Sequence, residues 1–342
     1  MLLAAGVGTR LRPLTYKIPK PIIPVINKPS ISYPLKLLKE FGINKVVINL
    51  YHSRERIKRC LNEKNRFGLE IEYSEEEHLL GTAGGVKKME KCFNRGTFLV
   101  LSADGITNLN INKALKFHRE KKTIATVVLK EKEEKFKYGI ALRDKEMRIT
   151  QFIEKPNWGE VFSNTVNTGI YIFEPEVLSY IPPDREYDFG HELLPFLVKE
   201  KEKVYGYLMS DYWIDMGNLE DYRRVQIDIL GGKTGIDIKG NEAGEGLWLG
   251  ENSEISPSSI IETPVVIGNN CRLEKGAKIG KFTVLGDRVT VKKRASLERC
   301  ILWNDILIGK EAKLKDCILT DFTSIPPGLL MSEGVVMGKK QD

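Results

Sequence analysis

Leu3-Ala4-Ala5-Gly6-Val7-Gly8-Thr9-Arg10-Leu11-Arg12-Pro13, running on to Pro19-Lys20-Pro21, takes a short apolar strand into a loop with two glycines. Glycine reaches positive φ at no steric cost and lets a ligand approach the backbone closely. A row of loop N–H groups facing one way makes a nest for an anion. Arg10, Arg12, Lys17 and Lys20 add four positive charges within eleven positions. The stretch reads either as a holder of polyphosphate or as a tight strand-to-helix turn with solvated arginines, which would look similar. It is not a Walker A loop, because no Gly-Lys-Ser/Thr follows, and Gly-x-x-Gly does not complete a dinucleotide fingerprint. Gly232-Lys233-Thr234 imitates half a Walker A, but Ile227 stands where its first glycine is needed, so it reads as linker.

Outward from the loop, strands alternate with helices. Residues 45–50, 69–73, 97–101 and 124–129 are short apolar or alternating runs, read as strands. Residues 31–41, 53–61, 110–121 and 218–230 have helical spacing. This order predicts an α/β, Rossmann-like fold: a mostly parallel sheet with helices on both faces. In such sheets ligands sit beyond the carboxyl ends of the strands. Three loops follow strands there: the opening loop, the stretch 75–85 ending in Gly81-Thr82-Ala83-Gly84-Gly85, and Ser102-Ala103-Asp104-Gly105.

A carboxylate after a strand is often only a turn former or cap. Asp104 is equally placed to bind Mg²⁺, a hard cation held by one or two carboxylates plus phosphate oxygens. The second carboxylate would be Asp215 of Trp213-Ile214-Asp215-Met216-Gly217. Glu154-Lys155 by itself reads as a solvated strand end. The four histidines, His52, His78, His118 and His191, receive no role. Asp188-Phe189-Gly190 resembles the kinase magnesium triplet, but the kinase glycine-rich and catalytic loops are missing, so it reads as the start of a helix running to Lys199.

The chain has 342 residues, 42% hydrophobic and 29% charged, an ordinary globular composition with room for two domains. The net charge of +7 is spread along the chain, not gathered in a basic stripe, which argues against nucleic acid. No apolar run approaches the roughly 20 residues of a membrane span, and the N-terminus lacks a signal-peptide layout. Five scattered cysteines without a Cys-x-x-Cys pair point to a reducing cytoplasm and away from structural zinc.

Six glycines within 231–246 mark a connector. Beyond it Leu249, Ile255, Ile261, Ile267, Leu273, Ile279, Leu285, Val291 and Leu297 recur at every sixth position. Trp303 takes the tenth place, after which the register slips to Ile308 and Leu314. Small residues such as Ser253, Cys271, Ala277 and Ala295 follow four places later in each unit. Hexapeptide periodicity is the signature of a β-helix. With three hexapeptides per coil, 249–302 gives three coils and the tail about a fourth. The expected domains are 1–230, a glycine-rich linker at 231–246, and a β-helix at 247–342.

Taken together, Leu-Ala-Ala-Gly-x-Gly-Thr-Arg-Leu-Arg-Pro-Leu-Thr with Pro19-Lys20-Pro21, Tyr138-Gly139-Ile140, Phe152-Ile153-Glu154-Lys155-Pro156, Val166-Asn167-Thr168-Gly169 and Trp-x-Asp-x-Gly closely resemble the sugar-1-phosphate nucleotidyltransferases that make nucleotide sugars. The resemblance covers nearly the whole chain, and the hexapeptide region resembles the left-handed β-helices of such synthases. It implies that Leu3, Ala4, Ala5, Gly6, Gly8 and Thr9 wrap the triphosphate, that Arg10 and Lys20 stabilise its charge, and that Gly81, Thr82, Ala83 and Gly84 read the base. It further implies that Gly139, Glu154, Asn167 and Thr168 line the sugar pocket, Lys155 holds the sugar 1-phosphate, and Asp104 and Asp215 bind Mg²⁺. Leu80-Gly81-Thr82-Ala83-Gly84, Trp158-Gly159-Glu160-Val161-Phe162 and the short β-helix resemble the branch that uses GTP and mannose 1-phosphate. Thymidylyl or uridylyl transfer to glucose 1-phosphate is the alternative. A third possibility is a nucleotide-sugar sensor, against which the intact Arg10, Lys20, Asp104, Lys155 and Asp215 argue. Acyl transfer is disfavoured because no histidine follows His191. The expected partners are a nucleoside triphosphate and a sugar 1-phosphate, with the β-helix supporting a homo-oligomer, dimer or tetramer, and no membrane. Relatives begin several residues earlier, so either the true start lies upstream of Met1 or the first strand is stunted, and Ala103 stands where many have glycine.

Overall fold

Leu2 and Leu3 form a two-residue strand that pairs in parallel on both sides, Leu2 with Ile48 and with Leu101. This computed structural model describes residues 1–62, 67–132, 137–157, 159, 163–238 and 241–339. They divide into two compact units: Met1–Val7, Pro19–Pro21 and Ser30–Asp215, and then Gly8–Ile18, Ile22–Pro29 and Met216–Asp342.

The first unit is α/β with a nine-stranded sheet. Phe98–Ser102, Leu2–Leu3, Lys45–Leu50 and Glu70–Glu75 run parallel in that order, the Rossmann-like part of the sheet. Val204–Leu208 is likewise parallel to Ala125–Glu131. Thr165–Phe173 is antiparallel to Phe98–Ser102 and to Ala125–Glu131 and so joins the two parallel parts. The apolar runs in these strands exist because both faces are covered: Val100, Val127, Leu129 and Phe173 lose essentially all solvent contact, in one core with Val86, Phe189 and Leu193. A separate two-stranded ladder pairs Gly105–Thr107 with Trp213–Asp215. No helix among the described residues is long and apolar enough to cross a membrane.

The second unit holds the helix Leu219–Leu230, capped by the Asn218 side chain, which accepts from the Asp221 N–H at 2.9 Å. Its Tyr222 hydroxyl donates to the Pro24 carbonyl (2.7 Å) and accepts from Trp303 Nε1 (3.1 Å). From 247 on, short strands stack in parallel on three sheets, the arrangement of a β-helix. Leu247 pairs with Val265 and Val265 with Thr283, an 18-residue step. Leu285 then pairs with Leu302 and Leu302 with Leu319, a 17-residue step.

Two expectations need correction here. The strand stack continues to Val335–Val336, so the tail adds two full coils beyond the first three and begins a sixth. The register also slips earlier than expected, between Leu297 and Leu302, because one corner loses a residue. Leu302 is the inward residue, and Trp303 faces Tyr222 instead. Asn241–Gly244, within the stretch expected to be linker, pairs antiparallel with Leu247–Leu249.

The coil corners are built from left-handed residues that are mostly not glycine, among them Asn270, Phe282, Arg288, Arg294, Arg299, Asp305, Glu311 and Asp316. Each costs about 1 kcal/mol. Several corners answer one another across coils. Arg288 makes a two-pronged bond to Asp305 (2.6 and 2.8 Å), Arg299 does the same with Asp316 (2.7 Å each), and Arg294 pairs with Glu311. The glycines that follow the inward aliphatic residues serve close packing. A Cβ on Gly268 or Gly286 would sit 2.4 or 2.6 Å from the next coil's backbone.

Candidate active site

In the ladder of Gly105–Thr107 with Trp213–Asp215, Asp215 is the direct partner of Gly105, the residue after Asp104. Residues 111 positions apart thereby bring two carboxylates together. Lys20 joins them: its ammonium pairs with Asp104 Oδ2 and lies 3.4 Å from Asp215 Oδ1. The Lys20 side chain is only 11% exposed, so its charge is held in place. Its backbone is fixed by the Ser30 hydroxyl, which donates to the Lys20 carbonyl at 3.0 Å, and by the Ile31 N–H, which donates to Pro21 O at 2.8 Å. Burial works to raise the Asp104 carboxyl, but the Lys20 ammonium and the donating Ser102 hydroxyl outweigh it and hold the pKa below the usual carboxylate range.

Above this triad lies a cavity of about 250 Å³ lined by Leu3, Ala4, Ala5, Gly6, Thr82 and Asp188 besides Lys20 and Asp104. Asn49 shapes its floor. Its Oδ1 accepts from Ala4 N–H (2.8 Å) and its Nδ2 donates to Glu76 Oε1 (2.7 Å), while Glu76 Oε2 accepts from Leu80 N–H (3.1 Å). This buried chain ties the opening loop to the second loop. Beyond it, the N–H groups of Ala5 and Gly6 find no acceptor among the described residues. Gly6 does not take a positive φ, and a Cβ on it would meet nothing within 4 Å. Neither the backbone nor packing requires glycine there, and the open space beside it is free for a ligand. Gly8 does take positive φ (69°) and starts the turn Thr9–Leu11, on which Arg10 is exposed.

Gly81, Thr82, Ala83 and Gly84 begin the helix Gly81–Lys88. The Ala83 and Gly84 N–H groups both donate to Tyr187 O (2.9 and 3.0 Å). Gly81 has φ 71°, and a Cβ on it would lie 2.6 Å from the same carbonyl. Much of what makes this string distinctive is thus backbone packing against 185–187.

Among the residues expected at the sugar, Glu154 lies between two glycines: a Cβ on Gly139 would sit 2.4 Å from Glu154 Oε2, and one on Gly190 2.5 Å. Lys155 takes a left-handed φ of 47°, with its side chain 55% exposed and its ammonium 4.0 Å from Glu154 Oε1. Asn167 Nδ2 donates to the Tyr171 hydroxyl (2.7 Å), and its Oδ1 accepts from Gly169 N–H (3.0 Å). Burial pushes the Tyr171 phenol far up, so it stays neutral. The Thr168 hydroxyl donates to Val128 O (2.7 Å). The Trp158–Phe162 string, Gly159 apart, lies outside the described residues.

Sequence reasoning missed Asn49, Glu76 and Tyr187, and it read Asp188-Phe189-Gly190 only as the helix start that Asp188 caps. The signal for Asn49 was visible as the one polar residue inside the apolar run 46–50. Nothing local marks Tyr187.

Asp104 and Asp215 already share one cation, the Lys20 ammonium, and offer only oxygen donors. No cluster of three or more His, Cys, Asp or Glu gathers among the described residues. A two-carboxylate set fits Mg²⁺, which leaves its other positions to water and phosphate, and does not fit zinc.

Comparison with known proteins identifies the family. The family described as nucleotidyl transferase matches residues 1–231, and a profile described as the GMPPB C-terminal domain matches 245–341. A UTP–glucose-1-phosphate uridylyltransferase of Synechocystis sp. is 37% identical over 331 residues, covering 92% of this chain and 85% of its own. A mannose-1-phosphate guanylyltransferase of Mycobacterium tuberculosis is 30% identical over 87% of this chain and 82% of its own. The mannose-1-phosphate guanylyltransferase catalytic subunit beta of Danio rerio is 30% identical over 99% and 90%. The chain belongs to the nucleotidyl transferase family, among the sugar-1-phosphate nucleotidyltransferases that make nucleotide sugars.

Proposed function

We propose that the chain joins GTP to mannose 1-phosphate, giving GDP-mannose and pyrophosphate. An oxygen of the sugar phosphate forms a bond to the α-phosphorus, the bond to the bridging oxygen of the β-phosphate breaks, and pyrophosphate leaves with that electron pair. The attacking oxygen is already anionic, so no side chain need take a proton. Positioning and charge stabilisation carry the rate. Ala5 and Gly6 N–H groups, Lys20 and Arg10 hold the triphosphate. Gly81–Gly84 surrounds the base. Glu154 accepts from sugar hydroxyls within a pocket shaped by Gly139, Asn167 and Thr168, and Lys155 meets the sugar phosphate. Asp104 and Asp215 would hold Mg²⁺, which when bound offsets charge on the phosphate oxygens.

The observation that carries this reading is the gathering of Lys20, Asp104 and Asp215 beside the Ala5 and Gly6 N–H groups, which find no acceptor among the described residues. The match of 245–341 and the guanylyltransferase relatives support GTP and mannose 1-phosphate. The 37% identity to the uridylyltransferase supports a second reading, UTP with glucose 1-phosphate. We take the C-terminal coils to be a left-handed hexapeptide β-helix acting as a scaffold for a homo-oligomer. Pyrophosphate release measured across four nucleoside triphosphates and a panel of hexose 1-phosphates decides between the readings. GTP with mannose 1-phosphate should be fastest, and preference for UTP with glucose 1-phosphate would replace the first reading by the second.

A further inference from the structure

Asp188-Phe189-Gly190 is absorbed by neither the triphosphate nor the metal reading, yet it touches both halves of the site. Toward the nucleotide loop, the Asp188 carboxylate accepts from the Thr82 hydroxyl (Oδ2, 2.8 Å), and the same hydroxyl accepts from the Phe189 N–H at 2.8 Å. Asp188 Oδ1 accepts from Gly190 N–H (2.8 Å), closing the turn. Toward the sugar pocket, a Cβ on Gly190 would sit 2.5 Å from Glu154 Oε2. The Phe189 ring lies 4.9 Å from that of Tyr171, whose hydroxyl accepts from Asn167.

A hydroxyl has one proton to give. That of Thr82 goes to Asp188, so it is not available to a base. No side chain fits between the Gly190 backbone and the Glu154 carboxylate, so the turn forms one wall of the space in which that carboxylate sits. We propose that residues 187–190 are a positioning bridge that holds the nucleotide loop and the sugar-side carboxylate in one register, so that the fit of the nucleotide at Thr82 is felt by the sugar at Glu154. The bridge rests on the assignment of these two loops to nucleotide and sugar under the proposed function.

Thr82→Val, with Thr82→Ser as control, tests it on two readouts. In the substrate-free chain, hydrogen exchange should quicken in peptides covering 81–88, 187–193 and 150–155, and Thr82→Ser should restore all three. In turnover, the KM values for the nucleoside triphosphate and for the sugar 1-phosphate should both rise about fivefold, the loss of roughly one buried hydrogen bond, with Thr82→Ser near wild type. Quickened exchange confined to 81–88, or a rise in the triphosphate KM alone, overturns the bridge. Quickened exchange in all three peptides with both KM values unchanged upholds the bridge and overturns the reading of these loops as substrate contacts. Should Thr82→Val not fold, Gly190→Ala approaches from the other end. The bridge requires the triphosphate KM to rise with that of the sugar 1-phosphate, and a rise confined to the sugar 1-phosphate overturns it.

Discussion

Asp215 stands opposite Gly105 in a two-stranded antiparallel ladder, and this pairing sets its carboxylate beside that of Asp104. Two like charges in a largely dry place repel, and the Lys20 ammonium between them answers that repulsion. Asp104→Asn or Asp215→Asn should therefore keep the fold while turnover falls by roughly 10²-fold or more. Pyrophosphate release beside a circular-dichroism melt checks this. Near-wild-type activity in magnesium for either variant would remove it from the metal site.

Gly6 and Gly286 stand in opposite surroundings, and alanine separates them. At Gly6 the new methyl enters open space, so stability should stay within about 0.5 kcal/mol while the KM for the triphosphate rises about tenfold. At Gly286 it would lie 2.6 Å from the Trp303 carbonyl oxygen, so the chain should lose about 1–3 kcal/mol. Paired melting curves and kinetics read both, and a stability loss at Gly6→Ala would show that protein, not ligand, requires the glycine.

Asn49 bridges Ala4 N–H and Glu76 inside the core. Asn49→Ala leaves a buried donor and a buried carboxylate short of a partner, at a cost of about 2–4 kcal/mol. Denaturant unfolding should show that loss, together with a raised KM for the triphosphate because Ala4 no longer anchors the loop. An unchanged unfolding midpoint would contradict the role given to this network.

Burial pushes the His118 imidazole below its usual pKa, although Glu174, 3.0 Å from Nε2, favours the charged form. Above about pH 6.5 both folded and unfolded states are neutral at this residue, and it carries no penalty. As pH falls below that value the unfolded chain takes the proton first, so stability declines until the lowered folded pKa is reached. His118→Gln should flatten this decline in melts taken between pH 5 and 8. An equally steep decline in the variant would assign it to other groups.

The α/β alternation, the loops at the strand ends and the sixfold repeat were legible because each rests on local periodicity. The sheet joint made by Thr165–Phe173 was not, since antiparallel insertion into a parallel sheet leaves no local mark. The slip before Leu302 escaped notice because Trp303 fits the hexad by size while the backbone turns it toward Tyr222. The left-handed corners were equally hidden, being occupied by Arg, Asp and Glu whose partners lie one coil away. In the site, their strand ends made Asp104 and Asp215 candidates, and only the resemblance to the family singled them out as a pair. Asn49, Asp188 and Gly190 could not be assigned, because their importance comes from contacts with residues distant in sequence.

The central claim is that Asp104 and Asp215 hold one divalent ion against a polyphosphate bound by the opening loop. A crystal structure with Mn²⁺ and a non-hydrolysable triphosphate analogue tests it directly through the anomalous signal. The account predicts one strong peak within about 2.2 Å of an oxygen from each carboxylate and from the phosphates, with Lys20 turned to the triphosphate. A peak bound to neither aspartate, or a triphosphate seated away from Ala5 and Gly6, would contradict it.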